Sequence, residues 1–171
     1  MFNRQEIEKL IKEKSLVAGY IDLNTQLTPN GFDLTAACIH SFSSGGCLDF
    51  SNKERKLPTC KEVILRKKNK QDKFGWWHLK KGIYKVTTNE IVNLPKDMLA
   101  ISFPRSSLLR MGILTQTGVW DAGFSGRSEF VLVVENPRGA RVKQNARLVQ
   151  LIFQGINETL HGYQGVYQNK V

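Results

Sequence analysis

The sequence of 171 residues has few of the residues that would build a metal centre or cross a membrane. Its three cysteines, Cys38, Cys47 and Cys60, lack Cys-x-x-Cys spacing, and its three histidines are scattered. A zinc site, and with it a zinc-dependent base deaminase, is therefore not expected, and we interpret the cysteines as free, buried thiols. No apolar run suits a membrane span or a signal peptide, so we expect a soluble, cytoplasmic protein.

Positive charge is in excess, because 25 Lys and Arg against 15 Asp and Glu give a formal net charge of +10. Such a balance indicates either a polyanionic partner or solubility by self-repulsion. Much of the excess lies in 66-RKKNKQDK-73, a polar run without periodicity that is typical of a solvated loop. On that interpretation the charge alone does not favour a nucleic acid as the partner. The length suits a single domain, residues 1–171.

The helical signal is confined to residues 1–16, where Asn3 can cap a short helix and Glu6 completes a capping box. Beyond it, turn residues separate short runs rich in β-branched and aromatic residues, at 82–88, 98–103, 130–135 and 147–153. The stretch 136-NPRG-139 predicts a type I turn. An all-β barrel or sandwich follows. Consecutive apolar residues in 130-FVLVV-134 indicate that both faces of this strand are covered, by a second sheet or by another subunit.

The stretch 104-PRSSLLRMG-112 follows an apolar run and places two hydroxyls between two guanidinium groups. Arg105, Ser106, Ser107 and Arg110 combine many hydrogen-bond donors with positive charge, which suits a ligand made of phosphates. The alternative is a polar strand end whose serines cap a helical turn.

A second stretch, 118-GVWDAGFSG-126, holds Asp121 in a turn between glycines, with an aromatic residue on either side. Glycines allow the backbone to approach a ligand closely. Asp121 is suited there to orient a water molecule or a metal ion. The alternative is that its carboxylate caps its own turn.

Three segments in this order, 104-PRSSL-108, 118-GVWDAGFSG-126 and 147-RLVQLIF-153, resemble the dUTPase and dCTP deaminase superfamily. The sequences 30-NGFDL-34 and 121-DAGFSGRSE-129 further resemble the archaeal type of dUTPase. The resemblance implies a mainly all-β subunit, a dUTPase-like distorted β-barrel or jelly roll with a short N-terminal helix. It also implies a homotrimer with active sites between subunits, and a magnesium-bound deoxynucleoside triphosphate as substrate.

The resemblance assigns roles to individual residues. Asp121 matches the carboxylate that positions and activates the attacking water, and Phe124 matches the aromatic that packs on the deoxyribose. The implied phosphate contacts are Arg105, Ser106, Ser107, Arg110 and Gln150, with Arg147 as a structural or charge-balancing arginine. Asp33 matches an aspartate expected to reach Mg²⁺ through water. The backbone from Gly118 to Gly126 matches the hairpin that receives the base.

One position separates the two reactions of the superfamily. A deaminase of this type needs a glutamate on the strand leaving the hairpin to shuttle protons, and the family pattern puts it at Val131 or, in another register, at Val133. Valine cannot do this, and Glu129 and Glu135 lie roughly 7 Å along the strand from either place. We therefore predict a dUTP diphosphatase that releases dUMP and pyrophosphate. The alternatives are a dCTP deaminase and a regulator that binds a nucleotide or nucleic acid.

The C-terminal tail, residues 161–171, lacks the glycine-rich, arginine-containing phosphate loop of the commoner trimeric dUTPases. Its sequence, 162-GYQGVYQNK-170, is closer to the deaminase-like branch, where this segment closes over the nucleotide. Tyr163 and Gln168 are therefore candidate substrate contacts. The alternative is a disordered terminus.

Overall fold

The protein is built mainly from β-strands, and its computed structural model describes residues 1–170. Val171, the last residue of the predicted tail, lies outside the described residues. The helices are α1 (Arg4–Lys14), α2 (Leu23–Gln26) and α3 (Ser106–Arg110). The strands are β1 (Val17–Ala18), β2 (Leu27–Thr28), β3 (Gly31–Phe42), β4 (Cys60–Glu62), β5 (Trp76–Leu79), β6 (Gly82–Asn93), β7 (Met98–Pro104), β8 (Ile113–Gln116), β9 (Ser125–Val134), β10 (Ala140–Lys143) and β11 (Arg147–Gly155).

Helix α1 begins where the capping box predicts. The Asn3 side chain accepts a hydrogen bond from the Glu6 N–H (3.0 Å), and the Glu6 carboxylate accepts one from the Asn3 N–H (2.8 Å). The helix ends at Lys14, and the capping residue Ser15 that follows has a left-handed φ of 53°. Its apolar stripe buries Ile7 and Ile11, so α1 packs on the body of the protein.

A nine-stranded antiparallel sheet forms that body and is nearly closed into a barrel. Its main path runs β7-β11-β3-β6-β9-β8, with β1 on β6 and with β2 and β4 on β3. The first half of β3 pairs with β11, and after an irregularity between Ala36 and Cys38 its second half pairs with β6. Such an irregularity bends a strand and helps a sheet to curve. The strands β5 and β10 form a separate two-stranded ribbon.

Strand β9 shows how the core is filled. Phe130, Leu132 and Val134 point inward and are buried, whereas Val131 and Val133 point outward and are only half-buried. Val133 lies in register between Ile83 on β6 and Leu114 on β8, both exposed. One face of the strand is therefore covered within the chain, and the opposite face carries an apolar row that the chain leaves open.

Several local predictions can be compared with the structure. The 136-NPRG-139 turn is present, since the Gly139 N–H donates to the Asn136 carbonyl at 2.8 Å. All three cysteines are free, but the expectation that they are buried is wrong, because Cys47 is exposed and Cys38 and Cys60 are half-buried. No helix in the described part of the chain is long and apolar enough to cross a membrane.

Candidate active site

The end of β7 carries the donor-rich stretch identified in the sequence. The Arg105 N–H donates to the Leu148 carbonyl (2.9 Å), which fixes the start of α3 beside β11. Ser106, Ser107 and Arg110 are exposed on α3. Within residues 1–170, neither serine hydroxyl has a hydrogen-bond partner, and no side chain caps the helix. The alternative in which these serines cap a turn is therefore wrong, and their hydroxyls are free to bind a ligand.

Asp33 lies buried on β3 between two guanidinium groups. Its Oδ2 is 2.9 Å from Arg105 Nε and 3.2 Å from Arg147 Nη1, and its side chain is only 2% exposed. Burial raises the pKa of Asp33, an effect that Arg105 and then Arg147 counter by stabilising the carboxylate. The same oxygen serves both cations. This arrangement favours a positioning role for Asp33 over the water-mediated magnesium contact expected from the resemblance.

Gln150 lies opposite Asp33 in the β11–β3 pairing, and its side-chain amide donates to Thr28 Oγ1 at 2.6 Å. We refer to the residues gathered at this end of β7 and β11 as the donor cluster: Arg105, Ser106, Ser107, Arg110, Arg147 and Gln150. The structure thus places the implied phosphate contacts together, with Asp33 as the counter-charge beneath them.

The glycine hairpin places Asp121 at a tight turn. The Phe124 N–H donates to the Asp121 carbonyl (3.0 Å), and Gly123 adopts a φ of 82°. A Cβ on Gly123 would lie 2.8 Å from Gly162 Cα, so both the backbone angle and the space require glycine. Among the described residues, no hydrogen bond or ion pair involves the exposed Asp121 carboxylate. Asp121 therefore does not cap its own turn through that carboxylate, which remains free.

A cavity of about 700 Å³ opens beside this turn and is called the Asp121 cavity below. Its lining includes Gly118, Asp121 and Phe124 of the hairpin, Tyr163, Tyr167 and Lys170 of the tail, and Lys85, Arg127, Glu129 and Val131 of β6 and β9. Three of the residues expected from the sequence thus share one cavity with the expected tail residue Tyr163.

The tail is docked on the hairpin as far as Lys170. The Tyr163 N–H donates to the Ala122 carbonyl (2.8 Å), and the Tyr163 ring meets the Phe124 ring edge-on with centroids 5.5 Å apart. The Gln168 amide accepts from the Ser125 N–H (3.0 Å) and donates to the Gly123 carbonyl (2.9 Å). The alternative of a disordered terminus does not hold for these residues.

Docking of the tail reduces the number of main-chain N–H and carbonyl groups in the hairpin that are free to bind a base. Gln168 already occupies the Ser125 N–H and the Gly123 carbonyl, and Trp120 exchanges both of its main-chain bonds with Ala100. Among the described residues, the main-chain groups of Gly118 and Val119 have no such bonds. In the described part of the chain the N–H groups of Asp121 and Ala122 are also without a hydrogen bond, so the main-chain groups left for a base while the tail is docked lie between Gly118 and Ala122.

The wall formed by β6 and β9 was only partly foreseen from the sequence. Val131 lines the Asp121 cavity, and Glu129 beside it is bound to Lys85 (2.7 Å) and accepts a hydrogen bond from Thr87 Oγ1 (3.2 Å). Arg127 also lines the cavity, and its Nε is buried without a partner among the described residues. The alternation of residues along β9 was the signal that could have placed Arg127, Glu129 and Val131 on one face.

Glu135, the other acidic candidate, lies elsewhere. It follows the end of β9 and pairs with Lys81 at 2.9 Å, and it is not part of the cavity lining. Of the two glutamates, Glu129 therefore lines the cavity with Val131 and Glu135 does not, and the Glu129 carboxylate is ion-paired with Lys85.

The donor cluster and the Asp121 cavity are separate within one chain. No member of the cluster lines the cavity. Trp120 pairs with Ala100 in the middle of β7, whereas the cluster begins beyond Pro104, about 13 Å further along that strand. A single chain does not bring its own donor cluster and its own Asp121 into one pocket.

A buried polar network beneath the donor cluster was not predicted. Glu90 is fully buried on β6 and accepts three hydrogen bonds, from the Thr35 N–H (2.9 Å), the Thr35 hydroxyl (2.6 Å) and the Gln26 amide (2.7 Å). Gln26 also donates to the Asp33 carbonyl at 2.9 Å. Burial raises the pKa of Glu90, and these hydrogen bonds only partly oppose the shift. The network ties Glu90 to the strand that carries Asp33.

The fold and the site together define a class of protein. It is a barrel-like β-protein of the dUTPase type, with a donor cluster and a cavity that contains a free carboxylate. A family model described as dCTP deaminase-like matches residues 1–156, and the chain belongs to that family. The superfamily predicted from the ordered motifs is thereby confirmed.

Relatives in archaea match almost the whole chain. A protein of Methanosarcina mazei is 47% identical over 99% of this chain and 97% of its own length, and one of Archaeoglobus fulgidus is 42% identical over 96% and 94%. Both are named probable deoxyuridine 5'-triphosphate nucleotidohydrolase. A 2'-deoxycytidine 5'-triphosphate deaminase structure from Agrobacterium tumefaciens, at 22% identity and a TM-score of 0.63, covers 89% of this chain and 45% of its own. That likeness shows the shared fold.

Proposed function

We propose that the protein is a dUTP diphosphatase, which hydrolyses dUTP to dUMP and pyrophosphate. Support comes from archaeal relatives of that name at 42% to 47% identity over nearly full length. The structural observation that carries the choice of reaction is Val131. This residue lines the Asp121 cavity where a deaminase needs a proton-shuttling glutamate, and a valine side chain has no titratable group.

Asp121 is the proposed catalytic base. Its carboxylate is exposed, has no partner among residues 1–170 and lines the cavity. It would accept a proton from a water molecule, and the resulting oxygen nucleophile would attack the α-phosphorus in line with the leaving pyrophosphate. The bond that breaks joins the α-phosphorus to the bridging oxygen, so dUMP and pyrophosphate are the products.

The donor cluster is the proposed holder of the triphosphate. Arg105, Arg110 and the two free serine hydroxyls present donors to phosphate oxygens, and such donors stabilise charge that grows as the bond breaks. Asp33 keeps Arg105 and Arg147 in place from below, through contacts of 2.9 and 3.2 Å. Gln150 is proposed as a further phosphate contact.

The complete active site is proposed to form between subunits of a homotrimer, each chain of residues 1–171 acting as one unit. The separation of the donor cluster from the Asp121 cavity supports this, because one chain supplies the two halves at different places. The apolar row of Ile83, Val133 and Leu114, open on the outer face of the sheet, supports contact with another copy.

Magnesium is proposed to arrive bound to the triphosphate. The described residues contain no group of three side chains of the kind that would hold a metal ion, and Asp33 is engaged by two arginines. Mg²⁺ retains much of its water and uses substrate phosphates together with one or two carboxylates. Asp121, free in the cavity, fits a water-mediated contact. When bound, the ion would neutralise charge on the phosphate chain.

The base and sugar are proposed to lie in the Asp121 cavity. Phe124 would pack on the deoxyribose, and main-chain groups near Gly118 would read the base edge. Tyr163 already contacts Phe124, and Gln168 clamps the hairpin, so the tail would act as a lid that completes the pocket.

Deamination of dCTP is the second candidate. Glu129 favours it, because its carboxylate lies in the cavity wall beside Val131, and the family model is described as dCTP deaminase-like. The ion pair with Lys85 argues against a free proton shuttle.

The test is incubation of the purified protein with dUTP and with dCTP in parallel, with and without Mg²⁺. Nucleotide products would be separated by chromatography, and pyrophosphate and ammonia would be assayed. We expect dUMP and pyrophosphate from dUTP and no change in dCTP. Ammonia released from dCTP at a comparable rate would instead establish the deaminase.

A further inference from the structure

The ribbon of β5 and β10 has one face in the core and one face toward solvent. Its inner residues, Trp77, Leu79 and Val142, are buried. On the outer face, His78 pairs with Arg141 and Trp76 pairs with Lys143, and the side chains of Arg141 and Lys143 are exposed. The ribbon is thus a rigid support that presents two cations outward from a packed base.

The basic run 66–73 is attached to the same ribbon. Arg66 and Trp76 exchange two main-chain hydrogen bonds, of 2.9 and 2.8 Å, so the run leaves directly from the end of β5. Asp72, the acidic residue of the run, accepts hydrogen bonds from the main chain of Lys68 and Asn69, so it shapes the loop. Loop and ribbon form one surface, which we call the basic ribbon and define as residues 66–81 and 138–143.

Nearly all of the net charge of the protein lies on the basic ribbon. Its 22 residues contain ten of the 25 Lys and Arg and one of the 15 Asp and Glu, which leaves nine of the ten net positive charges there. All ten cations are exposed, and among the described residues only Lys81 forms an ion pair, with Glu135. Solubility does not require the charges to be clustered on one surface. Clustered like charges repel each other, and the same number of charges spread over the whole surface would keep the protein equally soluble.

Aromatic rings hold part of this charge in place. Arg141 and Lys143 lie over the Trp76 ring, at 5.9 and 5.5 Å from its centroid, and Lys73 lies over Phe74 at 5.3 Å. Such contacts restrain these long side chains. Arg141 and Lys143 are two residues apart, so they repeat at about 7 Å, twice the roughly 3.4 Å rise per phosphate of one DNA strand.

We propose that the basic ribbon binds the phosphate backbone of a nucleic acid without base specificity. This function goes beyond the proposed hydrolysis and uses none of its residues. A two-stranded ribbon has the width to lie along a duplex groove, and clustered Lys and Arg release counterions from the phosphates. An acidic lipid surface is the less favoured partner, because Phe74 and Trp76, the aromatic side chains of the ribbon outside the core, are only partly exposed and lie beneath cations.

The test measures binding of the full chain to a fluorescein-labelled 30-base-pair DNA duplex by anisotropy, from 50 to 200 mM NaCl. Lys67→Gln, Lys68→Gln and Lys70→Gln are combined in one variant, and Arg141→Gln with Lys143→Gln in another. The matched control combines Lys9→Gln, Lys12→Gln and Lys14→Gln on α1, which remove the same charge as the loop variant from another exposed surface.

We expect wild-type affinity in the micromolar range at low salt, falling steeply as salt rises. The loop variant should bind at least about tenfold more weakly and lose about two to three units from the slope of log K against log salt, whereas the α1 control should stay within about twofold. The proposal would be overturned if the loop variant and the α1 control lost the same amount of DNA affinity, or if the wild-type protein did not bind DNA at 50 mM NaCl. Retention on phosphatidylserine vesicles with no binding to DNA would overturn it as well.

Discussion

Arg105 Nε lies 2.9 Å from Asp33 Oδ2, and this ion pair joins the start of the donor cluster to the buried strand β3. Arg147 approaches the same oxygen from β11 at 3.2 Å. One carboxylate therefore fixes two guanidinium groups, one at the start of α3 and one on β11. Since Arg105 and Arg147 remain about one-third exposed, at 32% and 31%, their other donors can face a ligand.

The Asp33→Asn variant should fold, but it should no longer fix the positions of the Arg105 and Arg147 side chains. We expect a loss of about 1–3 kcal/mol in the free energy of unfolding, below the cost for fully buried pairs because both arginines are partly exposed. Turnover of dUTP should fall, and raising the Mg²⁺ concentration should not restore it. Restoration by Mg²⁺ would instead reinstate Asp33 as a metal contact. Asp97→Asn, at an exposed aspartate, is the matched control, with urea unfolding and steady-state kinetics as the readouts.

Replacement of the proposed base separates binding from chemistry. The Asp121→Asn variant keeps the size of the side chain and removes the proton acceptor, so kcat should fall by about 10²–10⁴ while nucleotide affinity changes little. Affinity is measured by calorimetry with a non-hydrolysable dUTP analogue, and kcat by release of pyrophosphate. A variant with full activity would exclude Asp121 as the base.

Local signals in the sequence predicted four of the strands and the order of the motifs, whereas contacts between residues far apart in the chain could not be predicted from it. Turn residues and β-branched runs located β6, β7, β9 and β11, because these signals are local. The magnesium contact expected at Asp33 rests on the resemblance, and no local signal indicates its two arginine partners, because they lie more than 70 positions away in the chain. The Glu90 network and the basic ribbon were missed for the same reason, since each joins segments that only the folded sheet brings together.

The tail is expected to complete the pocket. Deletion of the residues after Leu160 removes the Tyr163 contact with Phe124 and the Gln168 clamp on the hairpin, so the KM for dUTP should rise at least about tenfold. Gln168→Ala should show a smaller rise in KM, and Gln164→Ala, at an exposed tail residue, should show none. Unchanged KM and kcat in the deletion would mean that the tail is not a lid.

Glu129 provides the sharpest test of the alternative reaction. The Glu129→Gln variant loses the ion pair with Lys85. Because both side chains of this pair are partly exposed, the free energy of unfolding should change by less than about 1 kcal/mol. Hydrolysis of dUTP should stay within about threefold of wild type. If the protein were a deaminase that uses this carboxylate, wild type would release ammonia from dCTP and the variant would not. Glu135→Gln, which breaks the more exposed ion pair with Lys81 and lies outside the cavity lining, is the control.

The buried Glu90 should leave a pH signature on stability. Burial raises its folded pKa above the ordinary 4.5, so its contribution to stability is fully present below that value and is lost as pH rises through the folded pKa. Glu90→Gln removes this titration and should also destabilise the protein, because an amide in place of one oxygen turns a donor toward the Thr35 N–H or the Gln26 amide.

The difference in unfolding free energy between wild type and Glu90→Gln should therefore grow as pH is lowered from 8 to 5. Urea unfolding at four pH values in that range measures it, with Glu62→Gln at an exposed site as the control. A difference that shrinks on acidification would show that the carboxylate is stabilised as an anion in the folded protein. In that case the hydrogen bonds that Glu90 accepts from Thr35 and Gln26 would outweigh the cost of burial. Glu90 on β6 would then be a permanently charged anchor for Gln26, which donates to the Asp33 carbonyl.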